Sequence, residues 1–522
     1  MRLDYPIWRE KHTYQLPKFD LNAVREKTYH QPTWLHFGAG NIFRAFPAAV
    51  LQKALDSGSH DRGVIVAEGF DYEIIDKAYR PYDNLSLLVL LKSDGSIEKR
   101  VVASVTESLK ADYQFAEDWD RLAEIFRAPS LQMISFTITE KGYSVAPADL
   151  ERGMKPVLMM GKLTALLYER YLAGAYPVTV QSMDNCSHNG DKVRDGVMAY
   201  ANRWAQEGLV EAGFPAYLRD AAKVSFPWSM IDKITPRPDA KVQDMLAADG
   251  FEDNETIITS RNTYTAPFVN AEETEYLVIE KDFPNGCPPL DLGGVMFTQW
   301  ETVDNVERMK VCTCLNPLHT ALAIYGCLLD YTLISAEMKD EDLCGLVTKM
   351  GYKEAMPVVV DPGVLNPADF IGAVLTKRLP NPFMPDAPQR IATDTSQKLP
   401  IRFGETIKAY HAKGLNKDDL VLIPLVLAGY ARYLTGIGDN GKSFIPSSDP
   451  LLAELQQIVA GLKVTEDAQD FSCLKQLYSR ADVFGVNLYE VGLGNRIEAM
   501  AAELFAGPGA VRRTLHKYVS LR

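Results

Sequence analysis

A short apolar stretch at 33–37 runs directly into Gly38-Ala39-Gly40, and beyond the turn Ile42, Phe43, Phe46, Ala49 and Val50 recur near helical spacing. Glycines let a strand turn sharply into a helix and let backbone N–H groups approach an anion at the helix's positive end. Pro47 suits such a helix only in its first turn. A second apolar strand follows at 63–67. Strand, helix and strand in this order favour a parallel pairing with helices packed on the sheet. A plain tight turn leaves the same trace, and Phe43 stands where the usual third glycine would fall.

The pattern continues. Residues 85–91 and 101–105 flank Ser93-Asp94-Gly95-Ser96, which predicts a β-hairpin closed by a DG turn. Strands are expected at 133–139 and 178–182, each after a helical segment, and 257–282 is again β-rich. From Asn305 onward helical periodicity dominates, at 320–329, 420–434, 451–462 and 497–505. A Pro- and Gly-rich stretch at 284–294 separates the two regimes. The expected architecture is α/β: an N-terminal Rossmann-type doubly wound sheet with added strands over 1–290, then a mostly α-helical C-terminal domain over 291–522.

Charge narrows the partners. The 522 residues carry a formal net charge of −13, which disfavours nucleic acid and a polybasic membrane contact. No uninterrupted apolar run reaches the roughly 18 to 20 residues of a membrane span. Residues 1–18 lack the apolar core of a signal peptide, so a cytoplasmic location is expected. Seven cysteines, an odd number, do not suggest a disulfide framework. Cys312 and Cys314 have no second pair at zinc spacing, and no metal site is expected.

Two stretches carry chemistry. Glu68 ends the second strand, 28 residues past Gly40, where an acid can bind the ribose hydroxyls of NAD and repel the extra phosphate of NADP. Asp71 is an alternative, and a solvated loop acid is the plainer reading of either. The other stretch is Glu307-Arg308-Met309-Lys310-Val311-Cys312-Thr313-Cys314-Leu315-Asn316-Pro317-Leu318-His319. Asn-Pro reads as a helix cap followed by a first-turn proline, with Lys310 an exposed charge.

With further segments, the chain resembles the long-chain polyol-specific dehydrogenases, which include enzymes of mannitol, fructuronate and tagaturonate. The resemblance runs from the glycine turn to the C-terminal helices. It rests on Lys310 with Asn316 and His319 just after Glu307, on Thr139-Glu140-Lys141-Gly142-Tyr143, and on Ser182-Met183-Asp184-Asn185 with Asn189-Gly190. Phe226-Pro227-Trp228-Ser229-Met230-Ile231-Asp232-Lys233-Ile234-Thr235-Pro236, the segment from Ile279 to Gly286, and Arg378-Leu379-Pro380-Asn381-Pro382 extend it.

The resemblance implies metal-free hydride transfer between NAD and a sugar-derived alcohol. Lys310 is then the general acid/base, Asn185 and Asn316 steady the alkoxide, and Glu307 passes the proton onward. His319 and Asp232 hold substrate hydroxyls or orient Lys310, and Arg378 clamps a polar or carboxylate end. The cofactor would lie on Gly38, Gly40, Asn41, Phe43, Arg44, Glu68 or Asp71, Thr139 and Glu140. The expected substrate pair is D-fructuronate and D-mannonate, with tagaturonate or fructose and mannitol as alternatives. A charged substrate would require a cation such as Arg378, Lys398 or Arg402. Five residues separate Lys310 from Asn316 where the family has four. An extra helical residue turns Lys310 by about 100° unless a bulge absorbs it. That departure also admits a catalytically silent nucleotide-binding regulator.

Overall fold

The computed structural model describes residue 3 and residues 14–522; of the N-terminal stretch read for a signal peptide, residues 1, 2 and 4–13 lie outside the described residues. The chain divides into two compact units. Unit 1 comprises the residues up to Lys92 together with Ser96–Asp304, and unit 2 comprises Ser93–Gly95 with Asn305–Arg522. The division thus falls at Asp304/Asn305, beyond the Pro- and Gly-rich stretch taken as the boundary.

In unit 1 the strands are β1 (Trp34–Phe37), β2 (Val64–Glu68), β3 (Ser86–Leu91), β4 (Ile97–Val102), β5 (Val105–Lys110), β6 (Met133–Phe136), β7 (Val178–Ser182) and β8 (Val224–Ser225). They continue with β9 (Ser229–Asp232), β10 (Ile257–Ile258), β11 (Tyr264–Thr265), β12 (Phe268–Glu272), β13 (Tyr276–Glu280) and β14 (Met296–Thr298). Six form one sheet in the order β5-β2-β1-β6-β7-β8, with every neighbouring pair parallel. This is the doubly wound order, with the switch point between β1 and β6. The added strands form two small mixed sheets, β12-β3-β4 and β14-β13-β9, and an antiparallel pair, β10-β11.

Alternation along the central strands explains why both faces must be covered. Leu35, Phe37, Ile65 and Ala67 point into one core, packed with residues of the helices Ala116–Arg127, Met159–Leu172 and Asn189–Gln206. Trp34, Val64 and Val66 point into the other, shared with the helix Pro47–Asp56 and the added strands. A parallel sheet with apolar residues on both sides is stable only between two layers.

Two local expectations change. The hairpin's second arm is β4, Ile97–Val102, whereas Val105 opens β5 in the large sheet. The chain breaks at Ala103–Ser104 because the Gln52 side chain accepts the Ala103 N–H (2.8 Å) and Ser104 Oγ donates to the Ala48 carbonyl (2.6 Å). The amphipathic segment after the glycine turn is two helices, Asn41–Ala45 and Pro47–Asp56, hinged at Phe46, with Pro47 opening the second.

Unit 2 is mostly helical. Its centre holds Asn316–Leu328 and Leu422–Leu434, both buried along nearly their whole length, with the Tyr325 hydroxyl donating to the Leu425 carbonyl (2.8 Å). The Glu354 carboxylate accepts the N–H groups of Val421, Leu422 and Ile423 (2.9, 2.7 and 2.9 Å), so an acid caps the buried positive end of the second helix. π-Helical turns occur at Lys310–Cys314, Met350–Ala355, Val374–Arg378 and Pro400–Gly404.

Candidate active site

In unit 1 the site is built at the carboxyl ends of β1, β2, β6, β7 and β9. Gly38 leaves β1 at φ +105°, and a Cβ there would stand 2.3 Å from the Thr137 carbonyl oxygen. No other residue fits. Gly40, by contrast, faces open space where a Cβ would be, so backbone is presented to whatever lies in front of it. The Glu68 carboxylate accepts N–H groups from Ala39 (2.8 Å), Phe70 (2.9 Å) and Asp71 (3.1 Å). Burial raises its pKa, and those three bonds oppose the rise. Glu68 therefore braces the glycine turn against the loop after β2.

Other residues expected at the cofactor are engaged inside the unit. The Arg44 guanidinium is fully buried and donates to the Ala266 carbonyl (2.7 Å), Thr265 Oγ1 (2.7 Å) and Asn41 Oδ1 (2.8 Å). It ties the glycine-turn helix to the strand pair β10-β11. Phe43 is buried and stacks on His36 with ring centroids 4.2 Å apart. Asp71, also buried, accepts from Thr259 Oγ1 (2.6 Å), so it anchors the same strand pair. The charges of Arg44 and Asp71 did not reveal these partners in the sequence, because β10-β11 is remote along the chain.

Thr139 has φ +65° and ψ 163°, a conformation costly for any residue but glycine. It is held by the Asp184 carboxylate, which accepts the N–H groups of Thr139 (2.8 Å) and Ile138 (3.0 Å) and the Tyr143 hydroxyl. Asn189 is buried and bonds in both directions: Nδ2 donates to the carbonyls of Asp184 and Ser229 (3.0 Å each), and Oδ1 accepts the Ser229 N–H (3.0 Å). It fixes the end of β7 to the start of β9. Next to it, Thr139, Glu140, Asn185, Asp232 and Lys233 line a cavity of about 320 Å³. Asp184 and Asn189 belong to sequence segments already singled out, but their bracing role emerges only from the fold.

In unit 2 the extra residue is accommodated. Lys310–Cys314 is a π-helical turn in which the Leu315 N–H donates to the Lys310 carbonyl (3.1 Å). Leu315, not Asn316, occupies the cap position of the next helix; Asn316 is its first residue and makes no side-chain capping bond. Lys310 is 5% exposed, so neither the capping asparagine nor the solvated lysine of the plain reading is found. Glu307 lies on the helix Trp300–Met309 that leads into the turn.

His319 Nε2 stands 3.6 Å from Asp386 Oδ2 and makes no hydrogen bond among the described residues. Burial pushes its pKa down to about 4; Asp386 opposes this, while Arg402, Arg390 and Arg378 reinforce it. His319 is thus neutral at ordinary pH. Arg378 is buried at the end of its own π-turn. Among the described residues no group of three His, Cys, Asp or Glu side chains gathers to hold a metal.

These positions fall within known sequence families. Residues 32–291 match the mannitol dehydrogenase Rossmann domain, and residues 302–492 match the mannitol dehydrogenase C-terminal domain. A D-mannonate oxidoreductase of Thermotoga maritima is 51% identical over 99% of this chain and 97% of its own length. A polyol:NADP oxidoreductase of Gluconobacter oxydans is 27% identical over 85% of this chain and 87% of its own. Among solved structures, a substrate-free D-sorbitol dehydrogenase superposes with a TM-score of 0.81 at 24% identity, covering 98% of this chain and all of its own. A Pseudomonas fluorescens mannitol 2-dehydrogenase superposes with a TM-score of 0.68 at 24% identity, covering 98% of both chains. At that identity the two structures speak to the fold alone. The family matches span both units, and the chain belongs to the mannitol dehydrogenase family.

Proposed function

We propose that this protein is an NAD-dependent oxidoreductase that interconverts D-fructuronate and D-mannonate in cytoplasmic hexuronate metabolism. The observation that carries the reading is the π-turn at Lys310. It absorbs the one residue by which this chain departs from the family spacing, leaving a buried lysine directly before the Asn316–His319 turn. The 51% identity to a D-mannonate oxidoreductase supports the substrate pair. The seven cysteines are all free, in keeping with a reducing compartment.

The cradle suits a dinucleotide. Gly40 leaves space that a side chain would fill, and Gly38 turns the strand where no Cβ fits. Gly38, Gly40, Asn41 and the neighbouring Thr139 and Glu140 would hold the cofactor, which supplies or receives the hydride. Glu68 keeps the turn in shape, and its carboxylate would be the acid to meet the ribose hydroxyls.

The remaining chemistry belongs to the chain. In the reductive direction Lys310, as the ammonium, gives its proton to the carbonyl oxygen as the keto carbon takes the hydride. In the oxidative direction the neutral amine removes the hydroxyl proton. Asn185 and Asn316 donate amide N–H bonds to the oxygen while it carries negative charge. Asp232 and neutral His319 orient substrate hydroxyls, and Glu307, one helical turn before Lys310, relays the proton outward.

Steady-state rates with fructuronate, tagaturonate and fructose, each with NADH, test the assignment. The uronate should have the highest kcat/KM. Preference for fructose would overturn the sugar-acid reading and leave a polyol dehydrogenase.

A further inference from the structure

Of the cations near His319, Arg402 and its neighbour Lys398 form no ion pair among the described residues. Arg402, Arg390 and Arg378 all act on His319, and Lys398 lies beside Arg402 and Arg390. Asp386 is taken by Arg390. Asp394 and Asp449 also act on Lys398, but neither forms an ion pair with it among the described residues, and Asp449 accepts from the N–H and hydroxyl of Ser396 and from the Leu451 N–H. Lys398 donates only to backbone carbonyls, those of Ile391 (3.1 Å) and Thr393. Arg402 donates Nη1 to Thr320 Oγ1 (2.5 Å) and to the Asn316 carbonyl (3.5 Å), and among the described residues it forms no ion pair.

Two adjacent, partly buried cations with no carboxylate in direct contact are unfavourable, because each loses hydration and each repels the other. Burial lowers Arg402 to about 10, and burial with the Arg402 charge lowers Lys398. An anion arriving here meets a planar fork that suits two carboxylate oxygens. The fork is pinned by Thr320 Oγ1 against the first turn of the helix that begins at Asn316 and carries His319. Arg378, the clamp expected from the resemblance, is buried at the end of its own π-turn, whereas Arg402 is held by a hydroxyl and a carbonyl.

We propose that Arg402, with Lys398 beside it, holds the carboxylate of a sugar-acid substrate and so selects acids over neutral polyols. This rests on the oxidoreductase reading above. The Nη1 bonds to Thr320 and the Asn316 carbonyl set the direction of the fork, and Lys398 adds charge without competing for the same geometry.

Arg402→Met tests it by the ratio of kcat/KM for fructuronate to kcat/KM for fructose. The ratio should fall by ~30-fold or more, the loss expected when one partner of a buried charged pair is truncated. Arg402→Lys, which keeps the charge and the fold's surroundings, should lose much less. An equal loss on both substrates would assign Arg402 a structural role and overturn the proposal, as would an unchanged ratio. If the wild type turns over neither substrate, the oxidoreductase reading fails independently. Calorimetric titration with D-mannonate in the presence of NAD then still decides the point: weaker binding by Arg402→Met, or by Arg402→Lys and Lys398→Met if the first variant does not fold, supports it, and unchanged affinity overturns it.

Discussion

The backbone N–H of Leu315 donates to the carbonyl of Lys310 across 3.1 Å, five residues back along the chain. An α-helix closes over four. One extra residue is thus stored in a single wide turn, the usual way a helix takes an insertion without losing its register beyond it. Deleting Val311 should let the segment close as an α-helix and retain measurable turnover. Inserting a second residue there should turn Lys310 by about 100° relative to Asn316 and cost ~100-fold or more in kcat. Stopped-flow measurement of NADH oxidation by both variants checks this; equal loss in the two would show that the turn does not set the register.

Lys310→Met keeps the volume and removes the proton donor. Its kcat with fructuronate should drop by ~10²- to 10⁴-fold, the usual contribution of a general acid. NADH affinity, read by fluorescence titration, should stay within about twofold, since the cradle described above lies in unit 1. A variant with near-normal kcat would remove Lys310 from the chemistry.

Arg44→Met should damage the fold rather than the reaction. It strips hydrogen bonds from the Ala266 carbonyl, Thr265 Oγ1 and Asn41 Oδ1 in a buried site. Unpaired buried polar groups cost about 1–3 kcal/mol each, so with three of them a loss of roughly 3 kcal/mol or more in unfolding free energy is expected. Urea denaturation reads it directly. A change confined to cofactor affinity, with unchanged stability, would return Arg44 to the cofactor site.

His319 offers a pH test with two readouts. Its pKa lies at about 4 in the folded protein, below the ordinary value of 6.5. Its contribution to stability is present above pH 6.5 and is lost as pH falls from 6.5 through 4. His319→Gln should flatten stability over that window. In the wild type kcat/KM should show no ionisation near pH 6.5 traceable to this ring; a limb there that His319→Gln abolishes would contradict the neutral imidazole.

Glu337 works in the opposite sense. It is buried, neither carboxyl oxygen has a hydrogen-bond partner among the described residues, and burial pushes its pKa up to about 9. The folded state keeps its proton while the unfolded chain, with an ordinary value of 4.5, releases it. Stability is therefore full below pH 4.5 and declines as pH rises towards 9, by about 1.4 kcal/mol per unit of pH. Glu337→Gln should stabilise the protein at pH 8.5 far more than at pH 5. Parallel pH dependence in variant and wild type would refute a protonated Glu337.

The sequence by itself determined the order of elements and the chemistry-bearing segments. Short apolar runs and the glycine turn specify β1, β2, β6 and β7, because strand propensity and φ freedom are local properties. The Lys310 to His319 segment is equally local. The tertiary structure decided what each polar group meets. Nothing near Arg44 or Asp71 in the chain indicates that β10-β11 would take them. The Glu68 bonds to the glycine turn likewise need two strands side by side. The same holds for Lys310: its spacing looked faulty along the chain, and only the closing of a π-turn against packed helices made room for one more residue.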